Sequence, residues 1–258
     1  MVRVRDEEEF LEPAVLSVAE VVDHFVLIDN LSRDRTPKIL DRLEATLAGR
    51  VDRYAYCHEI ARVGSESRAL AATPNDPRTS AAYYNWCLQR CPTPYILKWD
   101  GDMIANDAFA KAMKTWRRSS QMVLIFSGLN VYRDRRHVLA AAESDLATLA
   151  ARINDDGVPK WAATLARDYP EPRLFPKWLA QYEMELGWTQ RLATPATYSR
   201  RAQVIPEPCF LHMKFCKRDP LSNYSPELAR LIETNIVSGP PIDSQNMAVL
   251  ERWGLTTA

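Results

Sequence analysis

From Val2 to Cys57 short β-prone runs alternate with amphipathic helical patterns, and that rhythm constrains the fold more than any other feature of the chain. The β-prone runs are Val2 to Val4, His24 to Ile28 and Arg53 to Cys57, and helical patterns fall at Val15 to Val22 and from Pro37 onward. Parallel strands need a long crossover between them, which a helix supplies, so this alternation predicts a mainly parallel sheet flanked by helices, an α/β fold of Rossmann-like mixed type. Thr36 before Pro37 reads as an N-cap followed by proline at the first helical position. Ile39, Leu40, Leu43 and Leu47 then share one helical face.

The pattern continues with a helix at Ala81 to Arg90, stopped by Pro92 and Pro94, and a strand at Tyr95 to Trp99. A helix at Asp107 to Arg117, an apolar strand at Met122 to Phe126 and a helical period from His137 to Ile153 follow. Beyond Asn154 the period is lost. Trp161, Trp178, Trp188 and several prolines sit among short segments, which reads as a lid or a less regular binding region. Val204 to Lys214 reads as a late strand, and Tyr224 to Ala258 as a helical or irregular tail. A length of 258 residues with 47% hydrophobic content supports one large core, so the chain reads as a single domain.

Lys plus Arg and Asp plus Glu both number 33, which leaves no overall field to draw the chain to nucleic acid or an anionic membrane. The N-terminal residues lack the apolar core of a secretory signal, and no stretch reaches the ~18 apolar residues of a membrane span. The expectation is a cytoplasmic protein with no transmembrane segment, for which peripheral contact with a membrane stays open. The five cysteines are odd in number and include no C-x-x-C pair, so they read as reduced, buried thiols.

Asp100-Gly101-Asp102 follows the apolar run Tyr95-Ile96-Leu97, which puts two carboxylates at the carboxyl end of a strand, where open α/β sheets bind ligands. Carboxylate oxygens suit Mg²⁺ or Mn²⁺, and such an ion can clamp a diphosphate. Taken alone, D-x-D also describes an ordinary solvated acidic turn. Val26-Leu27-Ile28-Asp29 ends a second strand in a carboxylate able to accept the imide N–H of a uracil, or equally to serve as a loop aspartate.

Val4-Arg5-Asp6-Glu7-Glu8, Ile28-Asp29-Asn30-Leu31-Ser32-Arg33-Asp34-Arg35-Thr36, Asn85 and Trp99-Asp100-Gly101-Asp102 stand in an order and spacing that resembles family 2 glycosyltransferases of the GT-A fold. The resemblance covers about the first 105 residues and departs from the family at Asp6, where asparagine is usual. It implies a nucleotide-sugar donor (UDP-, GDP- or dTDP-linked), Mn²⁺ or Mg²⁺, a glycan or glycolipid acceptor and inversion at the sugar. Residues 1–105 would hold the nucleotide and 106–258 the acceptor.

Carried over by position, Arg5 would lie beside the base, Asp29 would contact it, Asn85 would line the nucleotide site, and Asp100 would meet the ribose or the metal. Asp102 would bind the metal directly, joined by His212 as the family's late histidine ligand. Lys214, Lys217 and Arg218 would face the phosphates, unless they are merely solvated. Gln190 stands where the family's proposed base is glutamate, and an amide cannot take a proton from the acceptor. Glu185 becomes the candidate base, with Glu183 and Asp243 as substitutes. Trp178, Tyr182 and Trp188 read as a sugar platform or as core.

Three other readings stay open. Cys209, His212 and Cys216, with Cys87 or Cys91, would suit zinc if a fourth ligand were found. Asp100 could be the nucleophile of a D-x-D phosphohydrolase, and the loss of the base would suit a non-catalytic nucleotide- or carbohydrate-binding module. A sugar nucleotidyltransferase would need a Gly-rich phosphate loop, and the chain has only 8 glycines.

Overall fold

The first half of the chain forms the parallel sheet that its alternation predicts. The computed structural model describes residues 1–70, 72–73, 75–117, 120–141, 170–185, 189–193 and 201–257. In order, β1 (Val2–Val4), α1 (Leu11–Leu16), β2 (Phe25–Asp29), α2 (Thr36–Thr46), β3 (Val51–Ala55), α3 (Ser65–Ala69), α4 (Ser80–Arg90), β4 (Tyr95–Leu97) and β5 (Trp99–Asp100) follow one another. The sheet has strand order β3-β2-β1-β5, all parallel. The chain winds outward from β1 through β2 to β3 and then returns to the far side of β1, so the winding reverses between β1 and β5. Open α/β sheets form their ligand crevice at such a reversal, beyond the carboxyl ends of the strands.

The rest comprises β6 (Met103–Ala105), α5 (Asp107–Trp116), β7 (Val123–Phe126), β8 (Leu129–Asn130), β9 (His137–Ala141), β10 (Glu171–Pro176), β11 (Gln181–Glu185), β12 (Thr189–Ala193), β13 (Ala202–Val204), β14 (Phe210–His212), α6 (Pro226–Asn235), β15 (Ile236–Pro241) and α7 (Ser244–Arg252). Side-chain alternation along the strands divides the core between the two faces of the first sheet. Val2, Val4, Leu27 and Trp99 pack with Leu11, Val15, Leu40, Leu43 and Phe109 of the helices on one face. Val26 and Ile28 pack with Tyr83, Cys87 and Leu88 of α4 on the other. The fold is thus mixed α/β, with its mainly parallel sheet flanked by helices.

The run expected as one strand from Tyr95 to Trp99 is two. β4 pairs antiparallel with β10 in a second sheet of order β13-β7-β10-β4, while β5 stays beside β1. Lys98 is the crossing point, and its N–H donates to the Arg173 carbonyl (2.6 Å). The late strand is also shorter than Val204 to Lys214: β14 lies between β6 and β8, with His212 opposite both Met103 and Asn130.

Three further expectations are corrected. The helix expected at Val15 to Val22 starts earlier and ends at Leu16, because the Ser17 hydroxyl donates to the Ala14 carbonyl and accepts from the Ala105 N–H. Thr36 is the first residue of α2 rather than its cap, and its hydroxyl accepts instead from the Glu7 N–H (2.7 Å). Residues His137–Ala141, expected as a helix start, form β9 against β15, a partner about a hundred residues away that no local pattern reveals. The remainder of that expected helix, and Trp161 and Trp188, lie outside the described residues.

Gly128 sits between β7 and β8, where an added Cβ would lie 2.3 Å from the Phe210 ring. That ring is fully buried beside Trp99 and Phe126 and has no room to move. Gly128→Ala is expected to lower unfolding free energy by about 1–3 kcal/mol in a urea titration, the usual cost of overpacking a filled core.

Candidate functional site

At the carboxyl rim of the parallel sheet the loops after β1 and β2 are laced together. Asp6 Oδ1 accepts from the Arg33 N–H (2.6 Å), the Ser32 hydroxyl accepts from the Asp6 N–H (3.0 Å), and Asp34 Oδ2 accepts from the Glu8 N–H (2.9 Å). Asn30 extends the lacing by donating to the carbonyls of Tyr56 (3.0 Å) and His58 (2.8 Å), beyond β3. Asp6 holds φ +56°, a left-handed conformation that asparagine and aspartate tolerate better than most residues. Aspartate at this position is therefore compatible with the turn that the backbone makes.

Two buried ionic groups flank the reversal between β1 and β5. In the first, Arg3 donates to Asp100 Oδ1, and Arg173 Nη1 lies 3.7 Å from Asp100 Oδ2. Arg173 also pairs with Glu171 (2.8 Å), which accepts from Lys98 (2.7 Å), and the Arg3 guanidinium stacks 3.6 Å over the Tyr84 ring. Burial opposes ionisation of Asp100, but Arg3, Lys98 and Arg173 outweigh it and hold the carboxyl at about 2.

In the second group, Lys217 Nζ lies 2.5 Å from Glu7 Oε1 and 2.5 Å from Asp102 Oδ2, and His212 Nε2 lies 3.4 Å from Asp102 Oδ1. Gly101 is required here, because a Cβ would come within 2.9 Å of Val4 Cγ1 and 3.0 Å of Glu7 Cγ. Burial pushes Glu7 up from its ordinary 4.5 to about 8; Lys217 offsets only part of that, and the charge of Asp102 adds to it. Asp102 is held far below the usual carboxylate range, since Lys217 and His212 overcome its burial. Lys217 is raised, because Asp102 and Glu7 overcome the burial that would lower it.

The other expected site residues are placed as follows. Asp29 ends β2 at the same rim, with its Oδ1 accepting from the Ser32 N–H (3.3 Å). Register puts Arg3 beside Asp100 and Val4 beside Asp29, so alternation sends Asp29 and Asp100 to opposite faces of the sheet. Arg5, just past β1, donates to Glu59 (2.8 Å). Asn85 is committed to the β11 backbone, donating to the Tyr182 carbonyl (2.8 Å) and accepting from its N–H (2.7 Å). Glu185 ends β11 opposite Thr189 of β12, and Gln190 stands opposite Met184. Glu183 is exposed on β11, Trp178 is exposed between β10 and β11, and Tyr182 is core. Asp243 caps α7 by accepting from the Asn246 N–H (2.9 Å), which explains that carboxylate structurally.

The metal centre expected from Asp100, Asp102 and His212 is not assembled in this arrangement. Only Asp102 and His212 meet; Asp100 is committed to guanidinium groups, and the Lys217 ammonium takes the position beside Asp102 that a divalent ion would need. Among the described residues no three His, Cys, Asp or Glu side chains gather as a metal site, which also removes the zinc reading of Cys209, His212 and Cys216. The residues present do not fit the ion.

Sequence reasoning assigned no role to Arg3, Lys98, Arg173 or Glu171 and did not foresee the Glu7–Lys217 contact. A signal existed for two of them: Arg3 interrupts the apolar run Val2-Arg3-Val4, and Lys98 stands between Leu97 and Trp99. A charge inside a buried strand must find a partner. Nothing local links Glu7 to a lysine 210 residues later.

No family model matches the chain, and no curated protein does. Among solved structures it is similar to S. aureus TarS 1-349, with a TM-score of 0.42 and 15% identity over 83% of this chain and 59% of that chain. The same protein in complex with UDP gives a TM-score of 0.42 and 14% identity over 82% of this chain and 58% of that chain. The chain thus spans less than two thirds of the length of either structure.

The Glu7 environment gives a pH signature. Native Glu7 keeps a proton up to about pH 8 that the unfolded chain releases near 4.5, so its contribution to stability declines as pH rises across that window. Glu7→Gln is expected to remove this decline, raising the melting temperature relative to the parent at pH 8 and changing it less at pH 5. A constant difference between the two pH values would show that Glu7 is ionised in the folded protein.

Proposed function

We propose that the chain is a glycosyltransferase that moves a sugar from a nucleotide diphosphate to a hydroxyl of a glycan or glycolipid acceptor. The observation that carries this reading is the position of Asp100-Gly101-Asp102 at the winding reversal of a parallel sheet, directly beside the loop Arg5-Asp6-Glu7 that follows β1. Asp29 and Arg5 at the same rim supply an acceptor and a planar cation for a base; β2, which Asp29 ends, lies two interstrand spacings from β5, or roughly 10 Å, and β1, which Arg5 follows, lies one. On this reading residues 1–105 serve as the nucleotide half and 106–258 as the acceptor half of one unit acting in the cytoplasm. Among the described residues no helix is long and apolar enough to cross a membrane.

In the transfer the acceptor oxygen bonds to the anomeric carbon while the bond from that carbon to the diphosphate breaks. The electron pair of that bond leaves with the diphosphate, and the acceptor proton passes to a carboxylate, for which Glu185 remains the candidate; back-side attack would invert the sugar. The phosphohydrolase alternative loses support because its nucleophile, Asp100, is engaged by Arg3 and Arg173. The non-catalytic alternative predicts nucleotide binding without turnover.

Calorimetric titration with UDP, GDP and dTDP, followed by donor hydrolysis across a panel of nucleotide sugars, tests the reading. Binding of one nucleotide and hydrolysis of its sugar conjugate are expected. Binding of none of the three would overturn the proposal, and binding without any hydrolysis or transfer would favour the non-catalytic module. Asp29→Ala is expected to weaken binding of the preferred nucleotide by about tenfold, the value of a hydrogen bond to a charged acceptor.

A further inference from the structure

The carboxylates at the rim already have their counter-charges. Asp100 and Glu171 are met by Arg3, Arg173 and Lys98, and Asp102 by Lys217, whose ammonium also donates to the carboxyl of Glu7. A divalent ion bound by Asp100 and Asp102 would have to displace these groups and would add two positive charges to a buried cluster whose cations already match or outnumber its ionised carboxylates. A leaving diphosphate nevertheless needs a cation close by, because the electron pair of the broken bond stays on its oxygen.

Lys217 has the features of that cation. An ammonium carries three donors, and Glu7 and Asp102 take two of them; among the described residues the third meets no acceptor. The Asp102 and Glu7 carboxyl groups fix the nitrogen in place, so its remaining N–H is oriented before a ligand arrives. Nor is Lys217 sealed off, since its side chain retains 17% exposure; the residue also borders a cavity of about 410 Å³ with Arg133, Phe215, Arg218, Asp219 and Glu233, one that Arg5, Glu7, Asp29, Asp100 and Asp102 do not line. Arg133 is engaged by Glu233 across this cavity (3.1 Å), while Arg218 is exposed.

Resting on the glycosyltransferase reading, we propose that Lys217 receives the donor's diphosphate in the role otherwise given to a divalent ion, so that nucleotide binding by this chain is independent of metal. Glu7 and Asp102 are then the positioning residues of the ammonium. His212 orients Asp102 rather than binding an ion.

The test is calorimetric titration of the full chain with UDP, GDP and dTDP, once in EDTA and once in MnCl₂, for the parent and for Lys217→Gln. The parent is expected to bind its nucleotide in both buffers with affinities within about twofold, and Lys217→Gln to lose roughly tenfold or more in EDTA, as befits a charge-assisted contact. Binding by the parent only in MnCl₂ would overturn the inference and leave the glycosyltransferase reading standing, as would parental affinity of a folded Lys217→Gln in EDTA. No nucleotide bound by the parent in either buffer would remove that reading and the inference with it. The comparison of buffers on the parent decides metal independence even if Lys217→Gln does not fold. The lysine's role is then read in EDTA from two other variants: Lys217→Arg, which keeps the charge, is expected to stay within about tenfold of the parent. Loss of binding by a folded Lys217→Met upholds the role, and parental affinity of that variant overturns it.

Discussion

The structure depends on a demand made by its first strand: a guanidinium buried between two valines must be neutralised. Arg3 lies at the centre of β1, almost out of contact with water, and an unpaired charge there would cost several kcal/mol. Asp100 meets it from β5, which fits the one register in which Arg3 stands beside Asp100. Arg173 approaches the same carboxylate from β10, so the second sheet is anchored where the first one reverses its winding. The crossing at Lys98 follows from this arrangement, with its ammonium on Glu171 and its N–H on the Arg173 carbonyl.

A second tie of the same kind joins distant parts of the chain. Lys217 follows β14 and reaches back to Glu7 and Asp102, the residues just past β1 and β5. Buried ion pairs of this kind are poor sources of net stability but strong constraints on geometry, since removing one partner strands the other. Their energetic value is therefore small beside the hydrophobic core, and their positional value is large. The rim residues are held to a fixed pattern by contacts that no amount of apolar packing could specify.

Much of this was legible in the sequence and some of it was not. The β1–β2–β3 rhythm, α2, α4 and α5 could be read directly, because each has its own periodicity or proline boundary and needs no distant partner. β9 could not, since His137–Ala141 is made a strand by pairing with β15 rather than by its own pattern. The rim aspartates were found because they end apolar runs, yet their surroundings divide: Asp102 lies beside His212 and Lys217, whereas Asp100 is drawn to Arg3 and Arg173. That difference arises from side chains in β1 and β10, which a motif three residues long does not contain. Asn85 illustrates the same limit, since its amide is matched to the Tyr182 backbone, a partner fixed only by the packing of α4 on β11.

The opposite facing of Asp29 and Asp100 bears on what the crevice can hold. Were the three aspartates to converge on one point, a single ion would be the natural occupant. They are instead spread along the rim, with Asp29 on one parity, Asp100 on the other, and Asp102 beyond the strand end with its own ammonium. A spread set of charged groups suits an extended ligand with chemically distinct ends better than a compact one. A nucleoside diphosphate has that character: a flat base that wants a carboxylate acceptor at one end, and an anion that wants a cation at the other. On the proposed reading Asp29 and Lys217 are those two partners, and the β1–β5 reversal is the gap across which the ligand would lie.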